Sequence, residues 1–225
     1  LEDPVEYKME GVSQSQIDKS KDYTFARGLK SILRQDPDIA MVGEIRDLET
    51  AEIAVQAALT GHLILSTIHT NNAAGAIPRF LSMGVKPFLL APALNCVIGQ
   101  RLVRLVCKKC KEEIKLSGEQ EERVEDIIAG MPEAAKEEAK NKELKFYQGK
   151  GCEACGGIGY KGRTGIHEVF VITPEIEQMI LSGKVSEYEM EKIAIKDGMV
   201  TMVQDGVLKA MDGITTLEEI FRVIE

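Results

Sequence analysis

The chain has 225 residues, of which 44% are hydrophobic and 28% are charged, a composition typical of a globular protein in water. Its 36 acidic residues outnumber the 28 basic ones, and the net charge of -8 disfavours unaided binding to nucleic acid or to an anionic membrane surface. No apolar run approaches the roughly 20 residues that a membrane-spanning helix needs, and no signal peptide is recognisable. The composition therefore predicts a cytoplasmic protein that does not bind nucleic acid.

The chain begins with Leu1 rather than with methionine, which is the usual first residue of a natural protein. Within two residues it enters a dense acidic motif, residues 2–6. We therefore interpret the chain as a fragment whose N-terminal portion is missing.

The first hundred residues alternate between helical and strand-like patterns. Both strand candidates are continuous apolar runs, which is typical of strands that are buried on both faces. This alternation predicts an α/β domain with a largely parallel sheet. The predicted helices cover residues 24–33, residues 48–59 with Asp47 as N-cap, and a segment from Asn71 or Asn72 to Gly84; the predicted strands cover residues 39–42 and 62–66.

The second half of the chain has a different character. Residues 117–145 are rich in Glu, Lys and Ala, and their thin apolar stripe predicts one or two exposed helices. The last fifty residues are predicted to be helical, with a helix from Thr173 to Gly183. Two capping-box patterns support this prediction, namely Ser186 with Glu189 and Thr216 with Glu219.

Four of the five cysteines form two C-x-x-C pairs, Cys107 with Cys110 and Cys152 with Cys155, separated by 41 residues. Each spacing lets both thiolates bind one tetrahedral metal ion, and four soft ligands suit zinc. Two disulfides or buried free thiols are the alternatives, and disulfides are disfavoured because nothing indicates secretion. We expect the zinc to be structural. Cys96 lies in an apolar stretch and is predicted to be a small buried hydrophobic residue.

Three sequence features suggest a site for a phosphorylated ligand. The predicted strand 39–42 is followed by Gly43 and Glu44, which places a carboxylate at the C-terminal edge of the sheet, where α/β proteins bind ligands. The acidic segment 2–6 carries three carboxylates whose repulsion a cation or hydrogen-bond donors would offset. His62 and His69 flank the second predicted strand, among hydroxyls and amides that suit phosphate oxygens. Taken singly, these features are more often an ordinary strand end, an exposed acidic loop and a structural histidine.

Together these segments resemble the motifs of the secretion-superfamily ATPases. Residues 1–6 (LEDPVE) resemble their aspartate box, residues 39–47 (IAMVGEIRD) their atypical Walker B motif and residues 59–71 (LTGHLILSTIHTN) their histidine box. The order of the motifs agrees, as do the intervening residues 24–29 (TFARGL) and 33–38 (LRQDPD). The two C-x-x-C pairs are similar to those of the assembly ATPases of type II secretion and of type IV pilus extension, whereas pilus-retraction relatives generally lack them.

The resemblance implies a fold and a division of the chain. The fold would be α/β, the C-terminal part of a RecA-like P-loop ATPase domain with a tetracysteine zinc subdomain and an all-helical C-terminal tail. Residues 1–106 would form the partial ATPase core, residues 107–160 the zinc-binding subdomain with its helical insert, and residues 161–225 the C-terminal helical subdomain.

The resemblance also implies roles for individual residues. Glu6 would be the general base that activates water, with Glu2 as the alternative. Glu44 would support Mg²⁺ and the attacking water. His62 and His69 would contact the γ-phosphate region of ATP and couple it to domain movement.

Three further residues are expected to bind the nucleotide or its cation. Asp3 belongs to the aspartate box, and Thr67 offers a hydroxyl beside the histidine box. Arg46 would join the polar network around Glu44, although an ordinary surface ion pair is an equally good interpretation.

The chain departs from the family pattern in one respect, because it contains no phosphate-binding G-x-x-x-x-G-K-S/T loop. The family places this loop upstream of the aspartate box, and arginine fingers also come from upstream segments and neighbouring subunits. We therefore expect that these 225 residues alone bind ATP poorly and do not turn it over.

Family membership further implies partners. The full-length protein would form a homo-hexamer at the cytoplasmic face of the inner membrane, attached only through partners such as the platform protein. The helical insert, residues 117–145, is a candidate partner contact, and a passive pair of exposed helices is the alternative. A zinc-containing RecA-like module that binds nucleic acid is the competing function, because basic residues cluster near the first cysteine pair; the net charge disfavours it.

Overall fold

The computed structural model describes residues 1–224 of the chain. Among these residues, no helix combines the length and the apolar character that crossing a bilayer requires. The helices are α1 (Phe25–Ile32), α2 (Leu48–Leu59), α3 (Ala76–Met83), α4 (Pro87–Ala93), α5 (Gly118–Ala129), α6 (Glu133–Lys140), α7 (Pro174–Ser182), α8 (Glu187–Lys196), α9 (Met202–Met211) and α10 (Leu217–Ile224). The strands are β1 (Ile39–Val42), β2 (Leu63–Ser66), β3 (Cys96–Val106), β4 (Lys111–Ile114), β5 (Phe146–Gly149) and β6 (Tyr160–Val171).

The chain folds into two compact units. The first unit comprises Leu1–Asn95 and Ile172–Met190, and the second comprises Cys96–Val171 and the segment that begins at Glu191. Each unit therefore combines segments that are distant in sequence.

This division differs from the predicted segments, whose boundaries fell after residues 106 and 160. The reason is the antiparallel pairing of β3 with β6, which runs from the Cys96–Val171 pair to the Val106–Tyr160 pair and crosses both boundaries. The segment 161–225, which was expected to be helical, therefore begins within a strand, and its first helix is α7.

Side-chain hydrogen bonds begin the first two helices of the first unit. Thr24 Oγ1 accepts a hydrogen bond from the Arg27 amide at 3.3 Å and caps α1. Asp47 Oδ1 accepts from the Thr50 amide at 2.8 Å and caps α2, as the sequence predicted. Because each cap satisfies an amide that has no partner within its helix, the helix starts are encoded locally.

The third helix begins later than the sequence indicated. Asn72 Oδ1 accepts a hydrogen bond from the Gly75 amide at 2.8 Å, so this asparagine closes a turn ahead of α3 rather than capping it. The predicted end is confirmed, because Gly84 follows α3 in the left-handed region with a φ of 103°.

β1 and β2 form a parallel pair in which Ile39 lies opposite Leu63 and Val42 lies opposite Ser66. One face of the pair carries Ala40 and Val42, which are 5% and 0% exposed. On the other face the apolar side chains stay 45–59% exposed, which corrects the prediction that both faces are buried. Strand residues alternate between faces, and no element within residues 1–224 buries the second face of this pair. The exposed side chains are Ile39, Met41, Leu63 and Leu65.

The second unit is built around the ribbon of β3 and β6. One face of the ribbon carries Val103, Ile166 and Phe170, all fully buried. Val103 and Ile166 form a cluster with Met202 of α9, and Val223 of α10 packs against this cluster. The ribbon therefore has one face in the core of the unit.

Cys96 is exposed, and the prediction that it is buried is wrong. It is the first residue of β3 and lies on the face opposite Val103, because successive side chains alternate. Its neighbours on that face, Ile98 and Leu102, are 59% and 49% exposed. The apolar composition of the stretch indicated burial, but the register of the ribbon determines which side chains are covered.

The insert, residues 117–145, contains α5 and α6 and is anchored to the second unit. Val124 is 1% exposed and joins a cluster with Val207 and Ile220, while Met131 is 2% exposed and packs with Leu208. The thin apolar stripe is thus what attaches two otherwise exposed helices to α9 and α10.

A buried carboxylate, Glu219, ties α10 to β3. Its backbone amide donates to Thr216 Oγ1 at 3.1 Å, which is half of the predicted capping box. Its carboxylate, however, accepts hydrogen bonds from the backbone and guanidinium of Arg104 at 3.0 and 2.6 Å and from Arg222 at 2.7 and 2.8 Å. Burial raises the pKa of Glu219, but the hydrogen bonds from Arg222 and Arg104 outweigh it and lower the pKa to about 2.

We predict that the second unit loses this stabilisation in acid. Because the folded pKa of Glu219 lies below its unfolded value, the contribution is complete above about pH 4.5 and is lost as the pH falls through about 2. A shift of this size corresponds to about 3 kcal/mol. Glu219→Gln should therefore lower the free energy of unfolding by about 3 kcal/mol at pH 7 and by much less at pH 2.5, as measured by urea unfolding followed by circular dichroism.

Glu218→Gln is the matched control, because Glu218 is exposed on the same helix. It should change the urea midpoint little at either pH. If both substitutions lowered the free energy of unfolding equally at pH 7, the buried hydrogen-bond network of Glu219 would not be a source of stability.

Candidate functional site

The carboxyl ends of β1 and β2 form the candidate site. Gly43 and Glu44 follow β1, and Thr67 to His69 follow β2. The two strands are parallel and end opposite one another, so both exits lie at the same edge of the sheet. This is the position at which α/β proteins bind ligands.

Glu44 is the centre of a polar network at this edge. Its side chain is 13% exposed, and its Oε2 atom forms an ion pair with Arg46 Nε and lies 3.3 Å from His69 Nε2. The imidazole itself is 82% exposed. The structure thus brings together three of the residues that the sequence singled out, and His69 is open to a ligand.

Thr67 fixes the backbone on which Glu44 sits. Its hydroxyl donates a 2.6 Å hydrogen bond to the Gly43 carbonyl, and its own carbonyl accepts from the Ile45 amide at 2.9 Å. These two bonds continue the pairing of the strands beyond their ends. The hydroxyl that was expected to contact a nucleotide is therefore engaged in holding the peptide before Glu44.

The acidic segment adjoins the same edge. Leu1 lies beside β1, since its amino group donates to the Met41 carbonyl and its carbonyl accepts from the Gly43 amide, both at 2.8 Å. A Cβ atom at position 43 would lie only 3.0 Å from the Leu1 carbonyl and 3.5 Å from the Cα of Glu2. The close approach accounts for a glycine before Glu44 and places the start of the acidic segment next to it.

The three carboxylates of this segment have different surroundings. Glu2 is partly buried and accepts a hydrogen bond from Gln14 Nε2 at 2.7 Å. Asp3 pairs with Lys19 at 3.5 Å. Glu6 is exposed, and within residues 1–224 its carboxylate has no hydrogen bond or ion pair. Of the two candidate bases, Glu6 is the one whose carboxylate has no partner within residues 1–224.

His62 lies at the opposite end of β2 from His69. Its Nδ1 atom is 3.1 Å from the Ala57 carbonyl and 3.4 Å from Thr60 Oγ1, at the end of α2. β2 has four residues, a length of about 13 Å. The structure therefore does not bring His62 to the edge that carries Glu44, and it gives this histidine partners of its own.

The four paired cysteines meet in the second unit. All four Sγ atoms lie within 4.8 Å of one another, and the Sγ atoms of Cys107 and Cys152 are 3.9 Å apart, as are those of Cys110 and Cys155. In a tetrahedral zinc site with Zn–S bonds of ~2.3 Å, two sulfurs are separated by about 3.8 Å. The spacing of the thiols therefore fits one tetrahedral ion.

Backbone amides support this cluster. The Cys152 and Gly159 amides donate to Cys155 Sγ at 3.1 and 3.3 Å. The bond from Cys152 and then that from Gly159 lower the pKa of the Cys155 thiol to about 6 despite its burial. Burial raises the pKa of Cys110 to about 12, so a bound cation is what would allow all four thiols to ionise together.

Two features of the site were not indicated by the sequence patterns. One is Gln14, whose side-chain amide donates to Glu2 although the two residues are separated by twelve positions in the sequence. The other is the pair of amide-to-sulfur hydrogen bonds at Cys155. Amide side chains close in sequence to an acidic loop can indicate contacts such as that of Gln14. Glycines in and after the second cysteine pair can indicate backbone amides that point at a sulfur atom.

Sequence comparison identifies relatives along the whole chain. The family model described as "Type II/IV secretion system protein" matches residues 1–222. The chain is 52% identical to "Type IV pilus assembly ATPase PilB" of Thermus thermophilus, with 100% of the chain and 24% of that protein covered. It is 48% identical to "Type II secretion system protein E" of Aeromonas hydrophila, with 99% of the chain and 42% of that protein covered. The chain thus spans less than half the length of these relatives.

Solved structures show the same α/β fold. The pilus retraction motor PilT with bound ADP superposes with a TM-score of 0.61 and 26% identity, covering 98% of this chain and 50% of that one. The ATPase DotB of Yersinia pseudotuberculosis gives a TM-score of 0.64 at 20% identity, covering 98% of this chain and 47% of that one, which supports the fold alone. With the family model matching nearly every residue, the chain belongs to the family of type II/IV secretion system proteins.

Proposed function

We propose that the chain is part of an ATP-hydrolysing motor subunit that powers type IV pilus extension or assembly of the type II secretion pseudopilus. The observation that carries the proposal is that the backbone of Leu1 and Glu2, where the acidic segment begins, lies against Gly43, directly before Glu44 at the carboxyl edge of β1. Membership of the family and the names of the two relatives support the same activity.

Mg²⁺ and ATP fit the groups at this edge. Carboxylate oxygens are the ligands that Mg²⁺ prefers, and Glu44 and Asp3 offer them here. Bound Mg²⁺ would neutralise charge that develops on the phosphates during hydrolysis. His69 is open to solvent beside Glu44 and would contact the phosphate region of bound ATP, while Arg46 pairs with the Glu44 carboxylate.

Glu6 serves as the general base. Its carboxylate has no partner within residues 1–224, whereas that of Glu2 is engaged by Gln14. A base must be free to take a proton from the attacking water, which favours Glu6 over Glu2. Thr67 acts by holding the Gly43 carbonyl, and His62 acts away from this edge, in coupling β2 to the end of α2.

The remaining parts of the motor come from outside these residues. Phosphate binding by backbone amides and a lysine needs a loop of the G-x-x-x-x-G-K-S/T type, and the printed sequence contains none. Residues 1–106 contribute the catalytic edge of a RecA-like core, residues 107–160 the metal-binding subdomain and residues 161–225 the rest of the C-terminal part, with the pairing of β3 and β6 joining these three functional segments. The subunit works as a homo-hexamer at the cytoplasmic face of the inner membrane and binds the platform protein there.

The four cysteines hold a structural zinc ion. The Sγ spacing and the amide support of Cys155 favour this assignment. The ion would clamp the turn after β3 to the turn before β6, since Cys107 follows β3 and Cys155 precedes β6. The competing nucleic-acid-binding function draws no support from the names of the relatives or from the net charge of -8.

We predict that Glu44→Gln in the full-length protein lowers kcat for ATP hydrolysis by about 100-fold or more, because the amide loses the charge that supports the cation and the attacking water. The change in KM for ATP should be small, since the phosphates are bound mainly elsewhere. Steady-state phosphate release measures both constants.

Glu52→Gln is the control, because Glu52 is an exposed residue of α2. It should leave both constants unchanged. A wild-type kcat in the Glu44→Gln protein would contradict the proposed activity. A steady ATPase rate from residues 1–225 alone, abolished by Glu44→Gln, would contradict the proposal that the phosphate-binding part lies elsewhere.

We also predict that one zinc ion binds per chain and that its removal unfolds the region between Cys107 and Cys155. Zinc binding couples to folding and should contribute several kcal/mol to this region, while the first unit, which has none of the four ligands, keeps its structure. Limited proteolysis after chelation, with the cleavage sites mapped by mass spectrometry, tests this expectation.

Cys152→Ser should abolish stoichiometric zinc binding as measured by elemental analysis. Cys96→Ser should retain it, because Cys96 is exposed and lies outside the cluster. Equal zinc content in both variants, or proteolysis that chelation does not alter, would rule out the structural zinc site.

A further inference from the structure

We propose that Gln14 is a positioning residue for ATP hydrolysis, which holds the acidic loop so that the Glu6 carboxylate faces the reaction. The loop comprises residues 2–13. This inference rests on the proposed function, because it assigns a role within the same site.

The loop has no apolar core that could hold its shape. Its large apolar side chains point into solvent: Tyr7 is 79% exposed, Met9 47% and Val12 53%. Burial of such side chains is what normally stabilises a surface loop, and here that contribution is small. The conformation of the loop therefore depends on hydrogen bonds.

The Gln14 side chain supplies three of these bonds. Its Nε2 atom donates to Glu2 Oε1 at 2.7 Å and to the Tyr7 carbonyl at 2.9 Å, and its Oε1 atom accepts from the Met9 amide at 2.9 Å. Both N–H groups of the amide are thus used, as is one lone pair of its oxygen. A single side chain connects the start, the middle and the far side of the loop.

Gln16 completes the arrangement on the other side of Glu6. Its Oε1 atom accepts a hydrogen bond from the Val5 amide at 3.2 Å. The residues on either side of Glu6, Val5 and Tyr7, therefore each have a backbone group held by a glutamine, while the Glu6 carboxylate has no partner within residues 1–224. Fixing the backbone and leaving the side chain free is what a positioned general base requires.

The base of the loop is closed by backbone bonds that do not involve either glutamine side chain. The Glu2 amide donates to the Ser15 carbonyl at 3.1 Å, and the Ile17 amide donates to the Glu2 carbonyl at 2.9 Å. Ile17 is 6% exposed. Removal of the Gln14 amide should therefore loosen the loop without unfolding the strand edge to which the loop is attached.

The test compares Gln14→Ala with Gln14→Glu in the full-length protein. Alanine removes all three bonds. Glutamate keeps the size of the side chain and the acceptor for Met9, but it replaces the donating nitrogen by an oxygen that faces the Glu2 carboxylate. Both variants should lower kcat for ATP hydrolysis by about 10-fold with less than about a twofold change in KM for ATP, because the base is misplaced while phosphate binding is not.

Hydrogen exchange provides a readout that does not depend on activity. The Met9 amide should exchange about fivefold faster in Gln14→Ala than in the wild type, since it loses one hydrogen bond, and should stay nearly as protected in Gln14→Glu. Gln56→Ala is the matched control, because Gln56 is an exposed residue of α2 in the same unit. It should change neither kcat nor the exchange of Met9.

The outcomes separate this inference from the proposed function. Unchanged exchange of Met9 in Gln14→Ala overturns the inference whatever the enzyme does. If the Met9 amide exchanges faster in Gln14→Ala but kcat stays at the wild-type value, Gln14 holds the loop without any role in the reaction, and the inference is overturned. Failure of the proposed function is detected separately, as a wild-type kcat in the Glu44→Gln protein. That measurement does not use the Gln14 variants. Lower kcat at constant KM in both Gln14 variants supports the inference.

Discussion

The candidate site depends on the parallel pairing of two four-residue strands and on one hydroxyl that extends it. Parallel strands end at the same edge, and the bond from Thr67 to the Gly43 carbonyl keeps the two exits together where regular pairing has stopped. Glu44 follows that fixed peptide directly, and the backbone of Leu1 lies against the same glycine. The start of the acidic segment and Glu44, which are about forty residues apart in the sequence, are therefore attached to the same edge through their backbones.

Three of the four carboxylates at this edge have a partner of their own. Glu44 forms an ion pair with Arg46, and Asp3 forms one with Lys19. Glu2 accepts a hydrogen bond from the neutral side-chain amide of Gln14. Of the four, only Glu6 has a carboxylate without a partner within the described residues. The second unit uses a different solution for its buried carboxylate, since Glu219 has two arginines and a pKa far below its ordinary value. The exposed Glu6 carboxylate is thus left without a partner, whereas the buried Glu219 carboxylate accepts four hydrogen bonds.

Local sequence patterns predicted those parts of the fold that local interactions determine. The Asp47 cap and the left-handed Gly84 need only their own neighbours, and β1 was found at the predicted residues. The exposure of Cys96 and of the outer face of β1 was mispredicted. Burial depends on which element covers a face of a strand, and composition does not specify that element. The carboxylate of Glu219 does not complete the predicted capping box, because it accepts hydrogen bonds from Arg104 instead. Arg104 lies on a strand more than a hundred residues away in the sequence, and its charged group forms the stronger hydrogen bonds.

The central claim is that the edge carrying Glu44 and the acidic loop holds the cation of MgATP. The most direct measurement replaces Mg²⁺ by Fe²⁺ in the full-length protein with ATP and maps the backbone cleavage that iron-generated hydroxyl radicals cause. Our account predicts cleavage within residues 2–6, 43–46 and 67–69, and none near His62. Cleavage that leaves these three segments intact while cutting elsewhere in the chain would contradict it.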